Sequence, residues 1–445
     1  MYRRSDLTIL QEIFDRSTND IALLYGERSC GLLEIVNDLM KDKECMYYRA
    51  CSVSEEAQKE MFYAELFEQT KFPIIPSEDY EKMITSYIND PSGRKKLIIL
   101  DDFQFIIKEH PSFINFLTYL LFEKCENGRV MYLLVSDDIR WIERDMVKII
   151  GKKSSEISRV LKINEYSPME FRDCFPDMPL SEMVAIYSFI GGKSMYYNGI
   201  TKDTTLHDLI LNQLHKSEQE YYNANLFLPR EIREPNLYNT LLYYLAAGRC
   251  KLNDLYKLTG MERAKLSVYL KMLMDCGIVE KKGTGSYWIK ESMTRFYYRF
   301  MFPHLSSLAT TGANRFYKKF IENGLSDFIA DIYPLFCMEQ IKWLKDRGRL
   351  NFNVASIEEF YDKYKAIDFT ITAVGSNVIA CSCSYDLPRM PYTRYEDVKE
   401  SVKKNRLNCE NIWLFSATGF DEKLCELAKE DPSLKLIEGS DQRLH

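Results

Sequence analysis

Two glycines five positions apart, Gly26 and Gly31, follow the apolar run Ile21–Tyr25 and precede Leu32 and Leu33. In the phosphate-binding pattern GxxxxGK[ST], backbone amides cradle the phosphates, the lysine reaches the β- and γ-phosphates, and the hydroxyl ligates Mg²⁺. Here the glycine spacing stands, but leucines hold both reactive positions and supply neither charge nor ligand. Arg28 inside the loop is the candidate substitute cation, while Glu34 in the next turn adds negative charge that disfavours phosphate. An ordinary strand-to-helix turn would leave the same two glycines.

A second segment bears on that choice. Residues 97–105 read LIILDDFQF, an apolar run of buried-strand type that ends in paired carboxylates. Asp101 stands where a Mg²⁺ water shell would be held, and Asp102 where a base would polarise the attacking water. The alternative role for both is helix capping, which Asp does well. A third apolar run, Val130–Val135, ends at Ser136, the place of a polar sensor residue. Three buried-type strands separated by helical patterns predict a parallel sheet.

The middle of the chain is locally basic, with eleven Lys and Arg against five Asp and Glu over residues 235–300. The spacing predicts helices over 237–247 and 252–258, a turn at Thr259-Gly260, and a longer helix over 263–276. That helix carries Leu266, Tyr269, Leu270 and Leu273 at the i, i+3, i+4, i+7 positions of a buried face. Gly277 caps it, and residues 278–289 form two short strands around a Gly-containing turn. This is a winged helix-turn-helix plan. In a DNA-binding version Arg263, Lys265 and Lys271 are the groove-facing contacts and Lys281 and Lys282 the wing contacts. Winged helices also serve as packing modules, with such cations simply solvated.

With 445 residues, 46% of them apolar and 28% charged, the chain is globular, with two or three domains. No stretch reaches the ~20 uninterrupted apolar residues of a membrane span, and no secretory leader is visible, so a cytoplasmic location without membrane contact is expected. Twelve cysteines without a C-x-x-C pair, and five histidines, suit reduced thiols rather than a structural zinc site. The net charge of −6 gives no global sign of nucleic acid.

The order of these segments resembles the archaeal ATPase family, prokaryotic P-loop ATPases of the AAA+ and STAND group. The resemblance runs over nearly the whole chain: Arg4, Asp6 and Leu7; Tyr25-Gly26 with Arg28 and Gly31; Asp101–Gln104; Tyr166–Phe171; Gly191-Gly192; the winged helix; Arg295–Phe300; and Leu414–Phe420. It implies an α/β fold: a P-loop NTPase-like, AAA+-type parallel sheet domain over 1–165, a helical lid over 166–234, a winged helix over 235–303, and a restriction-endonuclease-like α/β domain over 325–445. In such a nuclease domain an Asp and a Glu-x-Lys on adjacent strands bind Mg²⁺ and activate water. Ala366–Ile371 keeps Asp368, but the Glu-Cys-Lys-aromatic stretch is rewritten as Ser382–Tyr385. A lone Asp368 clamps Mg²⁺ poorly. Cys381 and Cys383, two apart on one strand, share a face as buried thiols.

Both departures point the same way. Without the loop lysine and hydroxyl, hydrolysis is expected to be negligible. ATP or ADP with Mg²⁺ is a doubtful ligand, held only by loop amides and a helix N-terminus. The expected protein is a degenerate ATPase homologue acting on DNA or a protein partner, with self-association open. The alternatives are an ATPase with an unconventional loop that uses Asp101 and Asp102, and a Mg²⁺-dependent nuclease that uses Asp368. The aromatic stretch Phe296–Phe302 reads as a buried seam rather than a base-stacking platform.

Overall fold

Nearly unbroken apolar runs make strands that are buried on both faces, the signature of a parallel sheet covered by helices. In the computed structural model three such runs are β1 (Asp20–Gly26), β3 (Lys96–Asp101) and β4 (Val130–Ser136), every residue of them buried. With β2 (Cys45–Arg49) and β5 (Arg159–Ile163) they form one parallel sheet in the order β2-β3-β4-β1-β5. The structure describes residues 4–71, 79–89, 93–122, 129–216, 227–228, 234–283, 285–362, 364–375, 377–385 and 389–438.

Alternation along these strands divides the core in two. Ile21, Leu23, Ile98, Leu100, Tyr132 and Leu134 face a cluster with Phe62, Tyr80, Ile107 and Phe113. Ala22, Leu24, Leu97, Ile99, Met131 and Leu133 face Leu10, Leu32, Ile35 and Leu39. Helices therefore lie on both faces, and the carboxyl ends of β1, β3 and β4 come together where the strand order reverses, the usual ligand position in an open α/β sheet. This compact unit comprises residues 1–165 together with 193–198.

The second unit comprises residues 166–192 and 199–445. It opens with the helix Pro168–Cys174, started by a Ser167/Glu170 capping box, and the helix Leu180–Ile190. Part of the expected lid, residues 217–226 and 229–233, lies outside the described residues, as do residues 439–445.

The winged helix consists of helices Pro235–Ala246, Leu252–Thr259 and Arg263–Asp275, followed by the antiparallel pair β6 (Val279–Lys282) and β7 (Ser286–Ile289). Leu266, Leu270 and Leu273 are fully buried, which orients the third helix and leaves its polar face outward. The following stretch is a seam, with Phe296, Tyr297, Tyr298 and Phe300 all buried.

The C-terminal sheet has the order β12-β11-β10-β9-β8, with β8 (Val354–Glu359), β9 (Phe369–Ala373), β10 (Val378–Ser384), β11 (Cys409–Ser416) and β12 (Leu434–Glu438). The β8/β9 and β9/β10 pairs are antiparallel, while β10/β11 and β11/β12 are parallel. Among the described residues no helix is long and apolar enough to cross a membrane.

One carboxylate organises the turn between β8 and β9. Asp362 accepts from the amides of Tyr364 (3.0 Å), Ala366 (2.8 Å) and Ile367 (3.1 Å), from the Ser401 hydroxyl (2.6 Å) and from Asn405 Nδ2 (3.0 Å). Partial burial pushes its carboxyl up, but bonds from Ser401, the amides and Asn405 outweigh this and hold it at about 2. A depressed carboxyl stabilises the fold above its unfolded value of ~4 and loses that contribution as the pH falls toward 2. Asp362→Ala is expected to cost about 1–2 kcal/mol at neutral pH in urea unfolding, because several donors lose their acceptor. The variant should be less sensitive than the native chain to acidification between about pH 4 and pH 2.

Candidate functional site

The chain leaves β1 at Gly26, whose φ of +152° and close approach both require glycine: a Cβ there would stand 2.3 Å from the Ile163 carbonyl oxygen of β5. Arg28–Cys30 then make a 3₁₀ turn in which the Cys30 amide bonds the Glu27 carbonyl (3.0 Å) and the Gly31 amide bonds the Arg28 carbonyl (3.3 Å). Gly31, at φ +92°, starts the helix Leu32–Met40, and a Cβ on it would meet Ser194 Oγ at 2.9 Å. Lys193 pairs with Glu27 at 2.9 Å. The loop is therefore closed on itself and backed by residues 193–196. Leu32 is fully buried in the core cluster and Leu33 is half-buried.

Arg28 turns inward, as expected of a substitute cation, but it meets carboxylates. Its Nη1 and Nη2 donate to the two oxygens of Asp101 at 3.0 and 2.9 Å, Nη2 also to Asp102 Oδ2 at 2.8 Å, and Nε to Asp137 Oδ2 at 2.8 Å. From the end of β2, Arg49 Nε donates to Asp102 Oδ2 at 2.8 Å and the Tyr47 hydroxyl to Asp101 Oδ2 at 2.5 Å. Asp102 has φ +53°, and its amide bonds Asp101 Oδ1 at 2.9 Å. The side chains of Asp101 and Asp102 are 0% and 6% exposed, and that of Arg28 is 21% exposed. Burial pulls the Arg28 pKa down, but bonding and charge from Asp101 and Asp102 raise it well above its ordinary value. Burial and the neighbouring Asp102 charge push the Asp137 carboxyl up against the pull of Arg28.

These donors do not fit a magnesium–nucleotide pair. Mg²⁺ needs an octahedron of oxygens, several of them water, whereas here a planar fork of N–H donors holds the Asp101 carboxylate on both oxygens. Asp102, expected to polarise a water, instead accepts from two arginines and from Gln104 Nε2 at 3.3 Å. Ser136, in the expected sensor position, accepts from the Asp138 amide at 3.1 Å.

The expected nuclease-type centre in the C-terminal sheet is arranged in a similar way. Asp368 precedes β9, with its amide on the Cys381 carbonyl at 2.9 Å and its Oδ2 accepting from the Cys383 amide at 2.7 Å. Arg394 puts Nη2 3.7 Å from Asp368 Oδ2 and Nε 2.8 Å from the hydroxyl of Ser382, at the position where the resemblance implies a glutamate. Burial raises the Asp368 carboxyl to about 6, against the Cys383 amide and the Arg394 charge. Cys381 and Cys383 are buried thiols, and burial pushes both well up. Among the described residues no three His, Cys, Asp or Glu side chains are placed so that they could hold a metal ion together.

In the winged helix, Arg263, Lys265 and Lys271 are exposed on the third helix beside Val268, 67% exposed, and Met272. Lys281 is exposed on the wing. Lys282 does not stand free: it pairs with Glu359 of β8 at 2.8 Å and with Glu280 at 3.4 Å. The wing tip lies under Tyr361, since a Cβ on Gly283 would fall 2.0 Å from the Tyr361 ring. Thr284, within the expected turn, lies outside the described residues. Sequence reasoning missed Tyr47, Arg49, Asp137 and Arg394. Only Asp137 carried a local signal, as an acid at the end of a buried strand.

Replacing Arg28 with Ala leaves a buried carboxylate uncompensated and is expected to cost about 3 kcal/mol in urea unfolding. Mg²⁺ should raise the melting temperature of that variant and leave the native protein's unchanged. Magnesium-dependent stabilisation of the native chain would contradict the arrangement described.

Comparison with known proteins adds the following. Residues 239–281 match the family described as bacterial regulatory protein, arsR family, and residues 297–390 match a family of archaeal and bacterial proteins of unknown function, DUF234. An uncharacterized protein of Methanocaldococcus jannaschii, MJECL04, is 22% identical over 379 residues, 82% of each chain. Among solved structures, the Walker-type ATPase PABY2304 of Pyrococcus abyssi is similar at 12% identity and a TM-score of 0.48, over 67% of this chain and 96% of its own. The ORC2 protein of Aeropyrum pernix, in its ADPNP–ADP complexes, is similar at 14% identity and a TM-score of 0.43, over 69% and 93%. One chain thus carries a five-stranded parallel sheet covered by helices and, over residues 239–281, a helix-turn-helix segment that matches the arsR regulatory family.

Proposed function

We propose that this protein is a non-hydrolysing relative of P-loop ATPases that acts as a regulator by binding DNA through its winged helix. The observation that carries the first half is the seat of Arg28: a fixed guanidinium holds the carboxylates that a metal would need. The second half is supported by the exposed cations Arg263, Lys265 and Lys271 and by the arsR-type match over the same helix. On a chain of net charge −6, such a surface has to be local. Val268 beside these cations suits contact with a thymine methyl. The nuclease reading loses support, because Arg394 and Ser382 stand where metal ligands would be needed. A cytoplasmic location is part of the same reading.

The test combines calorimetry with fluorescence anisotropy. Mg-ATP and Mg-ADP titrated into the native protein should give no heat of binding. Labelled duplex DNA should bind at low salt, and Arg263→Ala/Lys265→Ala/Lys271→Ala should weaken binding at least tenfold. Because each lost phosphate contact reduces the salt dependence by about 1 unit of slope, the triple variant should also respond less steeply to salt. Glu359→Gln, which removes the nearer of the two carboxylates on Lys282, should tighten binding. Unchanged DNA affinity in the triple variant would sink the DNA half, and ATP turnover that disappears in Asp102→Asn would sink the other.

A further inference from the structure

Between the helices Pro168–Cys174 and Leu180–Ile190 on one side and Tyr333–Asp346 on the other lies a cavity of about 210 Å³, with Met169, Met178, Met183, Tyr333 and Phe336 among its lining and Arg172 on its wall. Arg172 lies over the Trp343 indole, its guanidinium carbon 4.9 Å from the ring centre. Arg347 and Arg349 approach the same ring at 4.0 and 5.2 Å. Three cations thus surround one indole. Among the described residues, none of the three guanidinium groups makes an ion pair or a hydrogen bond. Trp343 Nε1 is buried and also lacks an acceptor.

We propose that this cavity binds a small organic anion, an acid group on a short apolar body, with the acid group held by Arg172, Arg347 and Arg349 beside Trp343. A cation–π contact offsets only part of the cost of a half-buried guanidinium, and three like charges around one ring repel one another. Burial pushes the Arg172 pKa below its ordinary value; the nearby Asp173 charge opposes this and Arg347 adds to it. An incoming carboxylate or phosphate adds counter-charge beyond that of Asp173 and supplies the acceptors that planar guanidinium forks are shaped for. The apolar body follows from the lining: three methionines and two aromatic rings make a wall that adapts to irregular shapes. The volume exceeds what one water needs and falls below that of drug-sized sites, so the body is a short chain or a single ring.

The experiment uses the full chain and four probes: hexanoate, hexan-1-ol as the body without charge, hexylamine as the reversed charge, and inorganic phosphate as a head without a body. Hexanoate at saturating concentration should raise the melting temperature by about 5 °C and change the fluorescence of Trp343, read as the difference from Trp343→Phe. Hexan-1-ol and phosphate should each act at least tenfold more weakly, and hexylamine not at all. Arg172→Met should weaken hexanoate at least tenfold. Arg347→Met/Arg349→Met, at exposed positions, gives the same reading if Arg172→Met does not fold. Val184→Phe, which fills the cavity, should abolish the response. Equal responses to hexanoate and hexan-1-ol, phosphate binding as tightly as hexanoate, or full affinity in the arginine variants would each overturn the proposal.

Discussion

A guanidinium has five donors, no acceptor and no accessible neutral form, so wherever it is buried its partners must be fixed around it. Arg28 imposes this condition on the carboxyl edge of the first sheet. Its partners come from the ends of β3 and β4, and those carboxylates in turn hold Tyr47 and Arg49 at the end of β2. Four of the five strands are therefore tied at one edge through a single cation that belongs to the chain itself. Three carboxylates this close would repel strongly in a low-dielectric setting, and two arginines leave the group near balance. A metal ion would meet the same electrostatic need, but it exchanges with solvent and a side chain does not.

The C-terminal sheet uses a related arrangement. There Arg394 spans Asp368 and the Ser382 hydroxyl. The two centres share no sequence and sit on different sheets. In each, an arginine from another segment of the chain approaches a carboxylate at a strand end. An acid at the end of a strand needs a counter-charge, and an arginine supplies it without changing the backbone.

How much of this could be read from the residues depended on the range of the interaction. The runs 21–25, 97–101 and 130–135 became the central strands because burial on both faces demands near-continuous apolar sequence. The winged helix was equally legible, since Leu266, Tyr269, Leu270 and Leu273 set one helical face and glycines mark its turns. The direction of Arg28 was not legible. An arginine in a glycine loop points to phosphate or to acid according to what stands across the sheet, 73 residues further along the chain. Lys282 was read as a wing contact from its neighbours, but its partner Glu359 lies 77 residues away. Leu32 was read only as a missing lysine, whereas it is a core residue with its own packing duty.

The backing of the loop by residues 193–196 affects how the protein can be divided. Residues 193–198 belong to the first unit although the chain has already entered the second at 166, so the polypeptide passes between the units three times. A fragment ending at residue 165 would contain every strand of the first sheet and still lack Lys193 and Ser194, which close over Glu27 and Gly31. Limited proteolysis near 165 would likewise leave residues 193–198, which belong to the first unit, on the second piece. The two units are thus not separable as consecutive stretches of the gene.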